Sequence, residues 1–199
     1  NQEYVVNELF SPMQELDGFI LDKELSTENH SIFHNETTGE VVIAYRGTSN
    51  LNDIKTDAHI FMGREKNTQR FKESEEVFEK TRDKYGKSTI RTTGHSLGGA
   101  SAICLADLLK ERFPDLTIVT FGAPRPGNRS LRERLSKLTH YRYRHGDDIV
   151  PLTPPWLTGY VHTAPVIMLE DANDRLLDRI QDHNIGSYRE QLNKYLLTI

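Results

Sequence analysis

One nonapeptide constrains the fold more than any other part of the chain: Thr92-Thr93-Gly94-His95-Ser96-Leu97-Gly98-Gly99-Ala100. It contains G-x-S-x-G, preceded by a β-prone run from Ser88 and followed by a helix-forming run from Leu97 to Arg112. A serine at a tight strand-to-helix turn has a strained backbone, and its Oγ stands above the carboxyl end of a sheet. Gly94 and Gly98 lack Cβ atoms, which lets strand and helix approach closely. The helix amino end directs partial positive charge at whatever forms beside Ser96. The context therefore reads Ser96 as a nucleophile rather than as the incidental serine of a Gly-rich turn.

The flanking sequence supplies the frame for such a turn. Ser31 to Asn35 and Glu40 to Arg46 are β-prone runs separated by Thr37-Thr38-Gly39, a hairpin signal. Val41 to Tyr45 is apolar on both faces, as a central strand requires. Asn67 to Tyr85 places Phe71, Phe78 and Tyr85 seven apart, which predicts a long amphipathic helix stopped by Gly86. After Ser96 the stripe Leu97, Ser101, Cys104, Leu105 and Leu108 continues the helix. Leu116 to Phe121 and Thr139 to His145 are further strands, with a short helix through Leu131, Leu135 and Leu138 between them. Tyr160 to His162 and Pro165 to Leu169 read as a final hairpin or edge pair, and Leu192, Tyr195 and Leu196 as a terminal helix. Val5, Leu9, Met13 and Leu16 predict short covering helices from Asn1 to about Leu25. Strands alternating with helices imply a mainly parallel central sheet with helices on both faces. At 199 residues, one domain over 1–199 is expected.

A serine hydroxyl needs a base, and the base needs a carboxylate to orient it. On a turn of this kind the partners follow in the order Ser, Asp/Glu, His. Asp147 and Asp148 stand at the right strand tip, and Asp148 is preferred because it precedes Ile149-Val150-Pro151. His30, His34 and His59 precede the serine, and His140 and His145 precede the acid. His95 abuts Ser96 and is read as a packing residue that points elsewhere. His162 lies in a β-prone segment, as a structural histidine would. His183, in a loop before the last helix, is the base. The oxyanion donors are the N–H of Leu97 and, after Arg46-Gly47, Thr48.

Together these residues resemble the class 3 (fungal-type) lipase family of α/β-hydrolases. The resemblance runs through Tyr45-Arg46-Gly47-Thr48, the Gly94 to Ala100 turn, Phe121-Gly122-Ala123-Pro124-Arg125-Pro126-Gly127-Asn128, Asp148-Ile149-Val150-Pro151 and Gly159-Tyr160-Val161-His162. It implies the α/β-hydrolase fold, Ser96, Asp148 and His183 as a triad, and Thr48 with Leu97 as oxyanion donors. It also implies that His162 is non-catalytic and that the substrate is an acyl ester, a lipid ester above all. Phospholipase A1, a feruloyl-type esterase and a catalytically silent lipase-like binding module are the alternatives. The family's amphipathic lid helix has no clear counterpart between Thr48 and Ser96, which predicts no jump in activity from monomeric to emulsified substrate.

Composition narrows the partners. Net charge is −4 with signs interspersed, which argues against nucleic acid. Mean hydropathy is −0.60, and no apolar run approaches membrane-spanning length, leaving transient contact with a lipid surface as the expected membrane relation. Histidines and acids lack metal-ligand spacing, so neither metal nor cofactor is expected. The single cysteine, Cys104, favours a reducing compartment or a fold that needs no oxidation; no charged-then-apolar leader opens the chain, and the missing initiator Met leaves a removed leader or a trimmed terminus open.

Overall fold

The computed structural model describes residues 18–47, 69–86, 88–169 and 181–197. Seven strands form one sheet: β1 (Phe19–Leu21), β2 (His30–Asn35), β3 (Glu40–Tyr45), β4 (Thr89–His95), β5 (Thr117–Phe121), β6 (Thr139–His145) and β7 (Val166–Leu169), in that spatial order. The first three strands are antiparallel neighbours, and β3 through β7 are parallel. Helices α1 (Gln69–Tyr85), α2 (Leu97–Leu109) and α3 (Arg129–Leu135) form the crossovers, and α4 (Ile185–Leu196) follows β7.

Alternation along the strands sorts the two faces. Val41, Ile43, Tyr45, Ile90 and Ile118 pack with Phe78 of α1 and Ile103 and Leu105 of α2 in the main core. The opposite parity, carried by His95, Phe121, Tyr143 and His145, meets Tyr188 and Tyr195 of α4. Helices thus cover both faces, as expected.

The β2–β3 hairpin forms where the sequence signals it. Asn35 Oδ1 accepts from the N–H groups of Thr37 and Thr38, and Gly39 has φ +69°. The α1 boundary is set by Gly86 at φ +60°, whose N–H bonds to Arg82 O.

Three expectations are corrected. Residues 19–21 form an edge strand rather than helix, because Phe19 to Leu21 pair with Phe33 to Asn35 of β2. The remainder of the expected covering helices, residues 1–17, lies outside the described residues. Of the expected hairpin or edge pair near the end, the hairpin does not form: Val161 makes an isolated antiparallel bridge to Gly127, while β7 joins β6 in parallel at the edge of the sheet. Helix α2 is not amphipathic. It is buried on all sides between sheet, α1 and α3, and Leu108, expected on the buried stripe, is the residue left 37% exposed. Its buried Asp107 is satisfied by Arg134 of α3, which donates Nε to Oδ1 (2.8 Å) and Nη2 to Oδ2 (2.7 Å).

Candidate active site

At the carboxyl end of β4 the chain turns directly into α2. Ser96 sits at φ 57°, ψ −129°, the one non-glycine residue with positive φ among the described residues. Such a backbone costs about 1–3 kcal/mol and persists only when its surroundings enforce it. The enforcement is visible. Ser96 N–H bonds to Phe121 O at 2.9 Å, tying the turn to β5. A Cβ on Gly98 would lie 2.2 Å from Tyr45 O, and one on Gly94 would lie 2.3 Å from the Gly98 carbonyl carbon. Only glycine allows β3, β4 and α2 to come this close.

Parallel strands bring the other loops to the same end of the sheet. Asp148 follows β6 and is fully buried. Its Oδ2 accepts from His183 Nδ1 at 2.8 Å and from the Tyr188 hydroxyl at 2.6 Å, and its Oδ1 accepts from Val150 N–H at 2.9 Å. Asp147, the alternative acid, makes no such approach. Its N–H donates to Asp182 Oδ2 at 2.8 Å, and His145 Nδ1 donates to Asp182 O at 3.2 Å. Asp182 thereby pins the loop carrying His183 to the loop carrying Asp148.

Ser96 and His183 are each only 2% exposed. Among the described residues, Ser96 Oγ and His183 Nε2 have no hydrogen-bond partner. A buried hydroxyl and a buried ring nitrogen left open are costly. With its Nδ1 proton held by Asp148, His183 presents Nε2 as a lone pair, which can take a proton from a hydroxyl. Leu97 opens α2, where N–H groups have no intrahelical acceptor and can hold a developing oxyanion. Thr48, the other expected donor, lies outside the described residues. Gly47, just before it, abuts the turn: a Cβ there would stand 2.7 Å from His95 O and 3.5 Å from Ser96 Cβ.

Two residues around the site, Tyr188 and Gly122, escaped sequence reasoning, and the packing residue His95 takes a direction other than the expected one. Tyr188 looks like one more helical aromatic, yet it is 1% exposed, and burial with the Asp148 carboxylate beside it raises its hydroxyl well above the usual range. It is therefore a donor at any working pH. His183 and Tyr188 stand only five residues apart, one just before α4 and one in its first turn, and that spacing is the signal that could have joined them. Gly122, at φ +58°, leaves the space in which Asp148, His183 and Tyr188 meet; a Cβ would fall 2.8 Å from Asp148 Oδ2. His95 differs from expectation in direction. Its ring lies 4.5 Å from the His183 ring, centroid to centroid, and burial, with the His183 ring next in weight, pushes its pKa down to about 3. It packs as a neutral wall behind His183. His162, expected to be structural, donates Nε2 to Pro151 O at 2.7 Å and is held near pKa 3 by burial and by Arg142.

The model of the family described as Lipase (class 3) matches residues 68–158, a span that includes Ser96 and Asp148. A crystal structure of lipase from Rhizopus microsporus var. chinensis superimposes with a TM-score of 0.64 at 26% identity, covering 79% of this chain and 62% of that one. Over residues 68–158 the chain is similar to the class 3 lipase family. Its fold is the α/β-hydrolase fold. Over 81 residues it is 46% identical to the secreted mono- and diacylglycerol lipase 1 of Fusarium solani, covering 39% of this chain and 24% of that protein. Over 63 residues it is 44% identical to the toxin TseL of Vibrio cholerae, covering 31% of this chain and 10% of the toxin. The chain thus spans a quarter or less of the length of these two relatives. A second model, described as a Tle-like phospholipase domain, matches residues 9–107.

Proposed function

We propose that this chain is a single-domain serine carboxylic-ester hydrolase acting on lipid acyl esters through an acyl-enzyme. Ser96 Oγ attacks the ester carbonyl while His183 Nε2 takes its proton. The resulting imidazolium is stabilised by Asp148, and the tetrahedral oxyanion rests on the N–H groups of Leu97 and Thr48. His183 then returns the proton to the leaving alcohol, and water releases the acyl group by the same steps in reverse. The observation that carries this reading is the buried Asp148–His183 pair at 2.8 Å, with His183 Nε2 and Ser96 Oγ both open to a reacting partner.

Names of relatives favour acylglycerol as substrate. The Tle-like phospholipase match favours a second reading, in which the ester belongs to a phospholipid. Ser96→Ala should lower ester hydrolysis by roughly four to six orders of magnitude and abolish labelling by a fluorophosphonate. Undiminished turnover or labelling would sink the assignment, and an unlabelled wild-type chain would favour a silent binding module. A panel of mono-, di- and triacylglycerols, phosphatidylcholine and small aryl esters separates the substrate readings. The reducing compartment expected from the lone cysteine has no support among relatives named as secreted, and a secreted origin fits them better. No helix among the described residues is long and apolar enough to cross a membrane.

A further inference from the structure

From Ile149 to Leu169 the chain contains no Asp, Glu, Lys or Arg, although such residues make up 27% of the whole. The one histidine in that stretch, His162, is kept neutral by burial and by Arg142. Within it, two 3₁₀ turns, Val150–Leu152 and Trp156–Thr158, raise apolar side chains into solvent. Leu152 is 45% exposed, Trp156 70% and Leu157 78%. An exposed Trp-Leu pair is uncommon on a surface that gains nothing from it.

The turns are held firmly from below. Arg125, on the loop after β5, donates its guanidinium to the carbonyls of Leu152 and Pro154, and its own N–H to Thr153 O. Thr158 N–H bonds to Pro155 O and Gly159 N–H to Trp156 O, at 3.0 Å each, and Pro154 and Pro155 have no N–H to satisfy. Such a turn can leave water without exposing many bare amide groups to an apolar phase. It is also joined to the site, since Val150 N–H is one of the donors to Asp148.

We propose that the Leu152–Thr158 turn is a lipid-surface contact, with Trp156 and Leu157 entering the interfacial layer of neutral or zwitterionic lipid beside the Ser96 site. Trp suits that depth because its ring is apolar and its N–H can face headgroups. The turn itself carries no charge, the Arg125 guanidinium beneath it is engaged with the Leu152 and Pro154 carbonyls, and the chain's net charge is −4, so uncharged lipid is the matching surface. The purpose of the contact rests on the proposed lipid-ester activity; its measurement does not.

Trp156 is the only tryptophan, so its fluorescence reports on this turn alone. On the full chain carrying Ser96→Ala, phosphatidylcholine vesicles containing diacylglycerol should shift its emission to the blue, and acyl-chain bromination should quench it. Leu157→Asp should weaken vesicle co-sedimentation at least about tenfold, while turnover of a dissolved short-chain ester by the Ser96-bearing form stays at wild type. The proposal is overturned by unshifted emission, by co-sedimentation unaffected by Leu157→Asp, or by a blue shift that follows protein concentration without lipid, which assigns the face to a second copy. Equal loss on dissolved and vesicular ester also overturns it, placing Leu157 in the fold or the chemistry. Because binding is read on Ser96→Ala, it stands apart from the nucleophile assignment.

Discussion

Asp148 gathers three donors on two oxygens while wholly removed from water: His183 Nδ1, Tyr188 Oη and Val150 N–H. Burying a carboxylate is costly unless donors of this kind satisfy its oxygens. Removing the Tyr188 hydroxyl withdraws a charge-assisted bond worth about 1.5–3 kcal/mol. Tyr188→Phe should therefore lower kcat roughly tenfold or more with little change in KM, read by steady-state kinetics on a dissolved ester; unchanged kcat would reduce Tyr188 to packing. Ser96 makes the complementary case. Its φ of 57° is one that glycine adopts without strain. Ser96→Gly should abolish turnover yet stabilise the chain by about 1 kcal/mol or more, measured as a raised urea midpoint. A midpoint equal to or below that of Ser96→Ala would show that the turn is not strained.

At the scale of elements, the strand–turn–helix unit depends on close backbone contact rather than on side-chain packing. Gly98→Ala would drive a methyl into Tyr45 O and the Arg46 backbone, none of which can move without breaking the β3–β4 pairing. The expected cost is about 3 kcal/mol or more. Gly86→Ala is the control: it has φ +60° and no atom within 4 Å of a new Cβ, so it bears only the left-handed backbone cost of about 1–2 kcal/mol. Chemical unfolding of both variants checks the difference, and equal costs would refute the close-approach argument. Both glycines were apparent in the sequence, as was the serine between strand and helix. The course of residues 160–169 was not. A β-prone pair reads as a hairpin or an edge pair from local pattern, whereas β7 alone is drawn into parallel pairing by the free edge of β6.

Over the whole molecule, acid sensitivity follows from histidines buried in neutral form. His95, His140 and His162 are each pushed down to about 3, burial being the main cause. His140 lies between the Thr120 and Thr163 hydroxyls, each at 3.0 Å. Unfolded, such groups titrate near 6.5, so between about pH 6.5 and 3 the unfolded chain binds more protons than the folded one. Stability is then complete above about pH 6.5 and falls with acidification, by at most about 1.4 kcal/mol per pH unit for each histidine. Asp22 adds a later loss. Burial opposes its ionisation, but bonds from Tyr85 and Lys84 prevail and hold it at about 2, so its contribution disappears as pH falls from about 4 toward 2. Urea midpoints should be level from pH 7 to 8 and decline below 6.5. A profile flat down to pH 5 would contradict the burial of these rings.

By itself, the sequence determined the parts whose cause is local. Gly94-His95-Ser96-Leu97-Gly98 marks a turn because two residues without a Cβ flank a serine between a β-prone and a helix-forming run, and the alternation of apolar runs specifies a parallel sheet with crossover helices. Chain order and strand-tip position point to Asp148 and His183 as the candidate acid and base. Only the tertiary structure decided what surrounds them. Tyr188 donates to the same oxygen as His183, Gly122 leaves room for both, and His95 backs the His183 ring, although β4, β5, β6 and α4 are distant in sequence. The same is true of Asp182, whose carboxylate spans two loops. Hydrogen bonds and steric room between distant segments depend on distances set by the packed sheet, and residue type alone carries no record of them.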